Sequence, residues 1–370
     1  MASTQKELRN EAKQLEFLEL EKYRITPVCI SKLDNLLHDL YAIRRPKSID
    51  YHIRRDVIRI FNAISKELYG NSDNSPVVEV FGSFVMDMFS VGSDLVLSVN
   101  FGNISRKFPR EMKIRTLRKF DKKFYSLQRG GHVVGVQTIM SARVPIIKFI
   151  HFENRDGIQK SQILHIVCGI DERFQKLNRT LSSLSIIQLV AFHLRTRDPP
   201  IIPPLSTLFE DGTDPVIVVK RVKNYLELEE SNKESLADLF VTLLVMMASV
   251  ENLWQKGLCA SLYEGCWTSI LWDTQYNAIS VEDFADRSQN VARAVGREQF
   301  KEIYGCIHSS LSHLLAFCND QTQGHKLLDL LFSADLVTIP RHIDTESNEE
   351  IEANISLPLN GHLTKRRRVK

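Results

Sequence analysis

The chain has 370 residues, with 48 Lys and Arg against 45 Asp and Glu, and 43% hydrophobic residues. That is enough for two packed domains of ordinary globular composition, and it excludes collagen-like, low-complexity and disulfide-scaffold classes. No apolar run reaches the roughly 18–20 residues of a membrane span, and the polar first residues (MASTQKELRNEAKQ) lack a secretory apolar region.

Residues 5–45 carry leucines at helical spacing, among them Leu8, Leu15, Leu18, Leu33 and Leu37. A further helix is predicted from Ser48 to Tyr69, ending near Gly70. An apolar strand then runs into Phe81-Gly82-Ser83, and a second follows Ser93-Asp94. Residues 106–129 hold ten basic residues against Glu111 and Asp121, with Ile114, Leu117, Phe120, Phe124 and Leu127 forming an apolar stripe. Strands are predicted over His132–Met140, Val144–Phe152 and Ser161–Ile170. From Leu181 to about Phe332 the pattern is helical, interrupted by the proline-rich stretch Asp198–Leu205. Trp254, Trp267 and Trp272 fall in this region and read as packing anchors.

Charge is local. Residues 341–364 hold one Arg against five acids, and five of the last six residues are basic, which leaves a body near neutrality. The segment 341–370 reads as a disordered acidic-then-basic tail. Cys29, Cys168, Cys259, Cys266, Cys306 and Cys318 form no CxxC pair, so zinc is not expected and reduced, mostly buried thiols are.

The informative stretch is VVEVFGSFVMDMFSVGSDLVLSVNF, Val77 to Phe101. A strand, a Gly-Ser turn and, ten residues on, Ser-Asp before another strand resemble the opening of nucleotidyltransferases of the DNA polymerase β superfamily. Three later blocks, in matching order, narrow the resemblance to the terminal RNA nucleotidyltransferases, the poly(A)/poly(U) polymerase group, especially plant-type members. They are Ser141–Phe149 (SARVPIIKF), Leu181–Leu184 with His193-Leu194 and Ile202–Leu205, and Asn232–Phe240 (NKESLADLF).

The resemblance implies an α+β fold of two lobes: a DNA polymerase β-like nucleotidyltransferase α/β domain and a helical poly(A)-polymerase-associated domain. Expected divisions are N-terminal helices at 1–60 packing on the helical lobe, the nucleotidyltransferase-like domain at 61–175, the helical domain at 176–340 and the tail at 341–370. Gly82, Ser83, Ser183 and Leu184 fall on nucleotide-binding positions. Asp94 falls on the first of three metal-binding acids.

The remaining positions depart from the family. Val96 stands at the second acid and offers no ligand atom. His165, in Leu164-His165-Ile166-Val167, stands at the third, and imidazole is a poor Mg²⁺ ligand. Leu184 replaces the aromatic that stacks on the base, and a lysine-bearing helix expected after Asp171–Lys176 is missing.

Two functions follow as expectations. One is an inactive or impaired pseudoenzyme of RNA 3′-end processing that binds RNA or a partner protein such as an active relative. The other is an active transferase adding UMP or AMP to RNA 3′ ends with Mg²⁺ or Mn²⁺, which needs a replacement acid such as Asp87 or Asp171. A decayed product with poorly joined lobes is a third outcome. The basic helix reads equally as an RNA-tracking face or a solvated one. Lys365, Arg366, Arg367, Arg368 and Lys370 resemble a nuclear import signal, which implies an import receptor and a nuclear location; a nonspecific polyanion-binding tail has the same composition.

Overall fold

The computed structural model describes residues 5–332 apart from 24, 71–74, 92, 102–108, 142–144, 156–157, 169–180, 182, 210–213, 228–231, 273–277 and 285; the side chains of 5, 149–155, 158–168, 183, 215 and 226 also lie outside the description. The order is α1 (Gln5–Lys22), α2 (Pro27–Arg44), α3 (Ser48–Tyr69), β1 (Val77–Phe81), β2 (Leu95–Asn100), α4 (Arg110–Arg129), β3 (Val133–Ile139), β4 (Ile146–Arg155) and β5 (Ile158–Cys168). Then come α5 (Ser183–Thr196), α6 (Leu205–Leu208), α7 (Pro215–Leu226), α8 (Leu236–Ser249), β6 (Leu258–Ser261), β7 (Cys266–Ser269), α9 (Arg297–Cys318) and α10 (Gly324–Leu331). Two separate hydrophobic cores make this a two-lobed α+β fold.

The α/β lobe is a five-stranded sheet ordered β1-β2-β5-β4-β3, with β2 and β5 parallel and the other pairs antiparallel. Helical spacing puts Val57, Phe61 and Ile64 of α3 and Leu117, Phe120 and Phe124 of α4 on one apolar stripe each. Both stripes pack with Leu95, Leu97 and Val99, which are fully buried. Strand alternation therefore turns Val96, Ser98 and Asn100 to the opposite face. On that face Ser98 donates to the Asn100 side chain at 2.8 Å, and Asn100 donates to Glu79 at 2.5 Å.

The helical lobe draws on both flanks of the sheet. Leu8, Ala12, Cys29, Leu33 and Leu37 of α1 and α2 share one core with Val241, Val245, Leu311 and Leu314 of α8 and α9. Helix starts follow local chemistry. Thr26 accepts from the Cys29 amide at 3.3 Å ahead of Pro27, and Ser235 and Asp238 form a reciprocal capping box at α8. The boundary expected between residues 60 and 61 falls inside α3 (Ser48–Tyr69), whose Val57, Phe61 and Ile64 all belong to the core of the sheet lobe. The boundary at 175/176 and the tail 341–370 lie outside the described residues.

Two readings need correction. The stretch expected to be continuously helical contains the hairpin β6–β7, because all four β6 residues are buried and leave no polar alternation to read. Trp254 lies in a single 3₁₀ turn and Trp267 on β7, both in the core. Cys29 and Cys318 are not reduced thiols but a disulfide joining α2 to the end of α9, with Cα atoms 5.2 Å apart, inside the range such a bridge requires. Among the described residues no helix is long and apolar enough to cross a membrane.

Candidate nucleotide site on the open sheet face

The site begins where β1 stops. Gly82 takes a left-handed φ of 80°, which a residue with a Cβ adopts only with strain. Residues 82–84 then make one 3₁₀ turn, and Met88 donates its amide to the Ser83 carbonyl at 2.9 Å. Among residues 85–91 no α-helix follows the Gly-Ser turn. Asp87 instead sits in a turn at φ 55° and accepts from the Tyr51 hydroxyl at 2.5 Å.

The loop between Gly82 and Asp94 is built on the first turns of α3. Tyr51 meets Phe89 edge to face at 4.9 Å, and the Arg54 guanidinium stacks over Phe89 at 4.3 Å. Arg54 donates to the Ser93 carbonyl at 2.7 Å and to that of Ser90 at 3.4 Å. The Ser93 hydroxyl in turn accepts the Ser90 amide at 2.8 Å. Burial pulls the Arg54 pKa down, while the charges of Asp50 and Asp94 oppose that shift. An arginine thus anchors the loop and sits within electrostatic reach of Asp94. Sequence reasoning passed over Arg54; its signal was a charged residue three and seven positions before Val57 and Phe61, on the apolar stripe of α3.

Register places the other positions. Val96 pairs with Phe81 on one side and His165 on the other, and His165 pairs with Lys148, which pairs with Gln137. Because Ile147 belongs to the core behind the sheet, Lys148 lies on the open face with Val96. Asp94, Val96 and the His165 backbone are therefore brought together, with Gly82 and Ser83 at the same end of the sheet. Ser183 and Leu184 stand in the first turn of α5 in the other lobe, and Leu184 is half-buried against that lobe's core. Arg143, Asp171 and Lys176 lie outside the described residues, as does the junction where the lysine helix was judged missing.

The basic helix α4 covers the opposite face of the sheet from Val96. Arg115, Arg118, Lys119, Lys122 and Arg129 are exposed along it. Lys119 lies over Tyr69 at 4.1 Å, and Lys123 pairs with Glu67 at 2.6 Å.

A family profile described as "Poly(A) RNA polymerase, mitochondrial-like, central palm domain" matches residues 33–168, the sheet and the helices around it. Protein HESO1 of Arabidopsis thaliana is 26% identical over 336 residues, covering 78% of this chain and 65% of its own. The speckle targeted PIP5K1A-regulated poly(A) polymerase of Bos taurus is 27% identical over 221 residues, covering 49% of this chain and 25% of its own. These matches support a poly(A)/poly(U) polymerase-like nucleotidyltransferase. Its fold is that of mtPAP in complex with UTP, with a TM-score of 0.59 at 16% identity over 83% of this chain and 76% of that one. The chain spans less than two thirds of the length of both relatives.

Two Mg²⁺ ions need several hard oxygen ligands. Among the described residues the row offers the carboxylate of Asp94, just ahead of β2, then Val96 and the His165 backbone beside it; Glu79, farther along the open face, is held by the Asn100 amide at 2.5 Å. Among the described residues no group of three or more His, Cys, Asp or Glu could hold a metal ion. Among the described residues this donor set does not fit a two-metal site.

Proposed function

We propose that this chain is a family member whose nucleotidyl transfer is lost or severely weakened and which works as an RNA-binding pseudoenzyme. One observation carries the reading: Val96 and His165 are direct register neighbours, so the two departures from the family meet at the point where carboxylates must converge on metal. Asp94 alone leaves too little negative charge to hold two ions.

RNA is the proposed partner because the exposed cations of α4 form a continuous helical face suited to a phosphate backbone. That face lies behind the sheet, so it holds RNA apart from the Asp94 side. An active relative is a second proposed partner, to which this chain would contribute RNA affinity. The basic cluster at Lys365, Arg366, Arg367, Arg368 and Lys370 supports nuclear import. The rival reading, an active enzyme that adds UMP or AMP with Mg²⁺ or Mn²⁺, needs a substitute acid, and Asp87 is engaged by Tyr51.

Primer extension tests the proposal. A labelled RNA oligonucleotide is incubated with each NTP and Mg²⁺, then Mn²⁺, using the purified chain and the variant V96D/H165D/L184Y. The unmodified chain should extend no primer. Extension by it overturns the reading. Activity in the triple variant alone would show an intact scaffold that lost its chemistry. RNA retardation that weakens with salt but not with EDTA is the matching binding result.

A further inference from the structure

An apolar cavity of about 320 Å³ lies between α2 and α8, lined by Leu37, Leu40 and Tyr41 of the first helix, Leu236 and Phe240 of the second, and Phe332. Its rim is open to water: Tyr41 is 59% and Leu236 41% exposed. An apolar space of roughly 150 Å³ holds a benzene ring, so this one has room for two aliphatic side chains. Phe332, one wall of the cavity, is the last described residue. Its ring meets that of Phe240 at 6.3 Å, and its backbone leaves α10 extended, with φ −129° and ψ 143°. The residues that follow therefore start at the cavity. They read SADLVTIP over 333–340, the first apolar group after α10, and the acidic stretch begins beyond them at Asp344. From Leu37 to Arg44 the α2 wall is roughly 10 Å long. Five residues beyond Phe332 reach up to about 17 Å, enough to span it. A second copy is a poorer occupant. A stable interface buries at least about 1,200 Å², and a cavity of this size supplies a small part of that.

We infer that this cavity is the docking site of the chain's own segment 335–339, bound extended with Val337 and Ile339 inserted. Two positions apart, these residues share one face of an extended segment, and Leu336 and Thr338 share the other. Seating them against Leu40, Leu236 and Phe240 removes apolar surface from water on both partners. The docked segment straps α2 to α8, and it does so next to the sheet lobe. Arg44 ends the same wall, and its carbonyl accepts the Val91 amide at 3.3 Å, in the loop between Gly82 and Asp94. The strap thus braces the helix end on which that loop rests, whether or not the loop serves chemistry.

Photocross-linking of the full chain tests it, with Tyr41→p-benzoylphenylalanine as the probe. Irradiation should join the probe to residues 335–339 of its own chain, as placed by peptide fragmentation. Adding Val337→Ser and Ile339→Ser should lower that yield at least about 10-fold, because two buried aliphatic side chains are lost. Ile351→Ser with Ile355→Ser, farther along the chain, should change it less than about 2-fold. Hydrogen exchange without the probe is the second measurement. Amides 336–339 should exchange at least about 10-fold more slowly than in an unstructured peptide, and Leu40→Gln should abolish that protection. Cross-links to a second copy or only to other parts of the chain overturn the assignment. So do a yield that ignores the Val337/Ile339 pair, an equal fall with the Ile351/Ile355 pair, and free exchange of amides 336–339. Primer extension reads none of these outcomes, so the pseudoenzyme reading stands or falls separately.

Discussion

Acidification from pH 7 to pH 4 should remove about 3 kcal/mol of stability through His193 alone. Its ring is buried in the helical lobe, and burial, reinforced by the positive charge of Arg197, pushes its pKa down to about 3. Nε2 lies 3.0 Å from the Thr242 hydroxyl, and that hydroxyl already donates to the Asp238 carbonyl at 2.7 Å. The imidazole must then donate from Nε2, leaving Nδ1 unprotonated in a buried setting.

The sign follows from the depressed value. The unfolded chain binds the His193 proton below pH 6.5 while the folded chain resists it down to about 3. Stability from this group is therefore complete above pH 6.5 and declines steadily as the pH falls towards 3. Urea unfolding at pH 7, 5 and 4 should show this slope in the unmodified chain. The variant His193→Gln, less stable at pH 7, should lack that share of the slope. Equal slopes in the two proteins would contradict the assignment, since the carboxylates common to both cancel in the difference.

Trp254→Ala should cost about 3–5 kcal/mol and lower the melting temperature by roughly 6–15 °C. Trp254 is 1% exposed and meets Trp267 edge to face at 5.5 Å; Trp267 meets Phe192 at 4.5 Å. Its indole N–H donates to the Tyr304 hydroxyl at 2.6 Å, which donates onward to the Met247 carbonyl at 3.1 Å. The substitution thus opens a cavity and removes the only described donor to a buried phenol, whose pKa burial already raises. Trp254→Phe should keep most of the packing and lose about 1–2 kcal/mol. Calorimetry resolves the two. A loss below 1 kcal/mol for Trp254→Ala would mean that the α8–α9 junction does not depend on this ring.

Much of the α/β lobe was legible because its elements announce themselves locally. The stripes of α3 and α4 have helical period, Gly70 ends α3, and the strands around Gly82 and Asp94 are bounded by turn residues. What escaped depends on distant partners. All four residues of β6 are buried and so carry no alternation. The pairing of Cys29 with Cys318 spans 289 residues, beyond any local signal. Arg54 reads as one more charge on an amphipathic helix until the loop it anchors is in place. Lys148 stood in plain view in SARVPIIKF, but its place on the open face in the same row as Val96 requires the register of three strands. Family motifs located Val96 and His165 one by one; the sheet shows that they are neighbours.

The helical lobe is assembled from chain on both sides of the sheet, and this sets a timetable for synthesis. A ribosome releases α1 and α2 before the sheet lobe, with Leu8, Ala12, Leu33 and Leu37 still lacking the surface that will cover them. The sheet lobe that follows is complete at Cys168 and has its own core, so it can fold while those helices wait. Their partners on α8 begin only at Leu236, and those on α9 only at Arg297. For that interval the apolar residues of the two helices lack their cover, the kind of surface that chaperones bind and that aggregates form on.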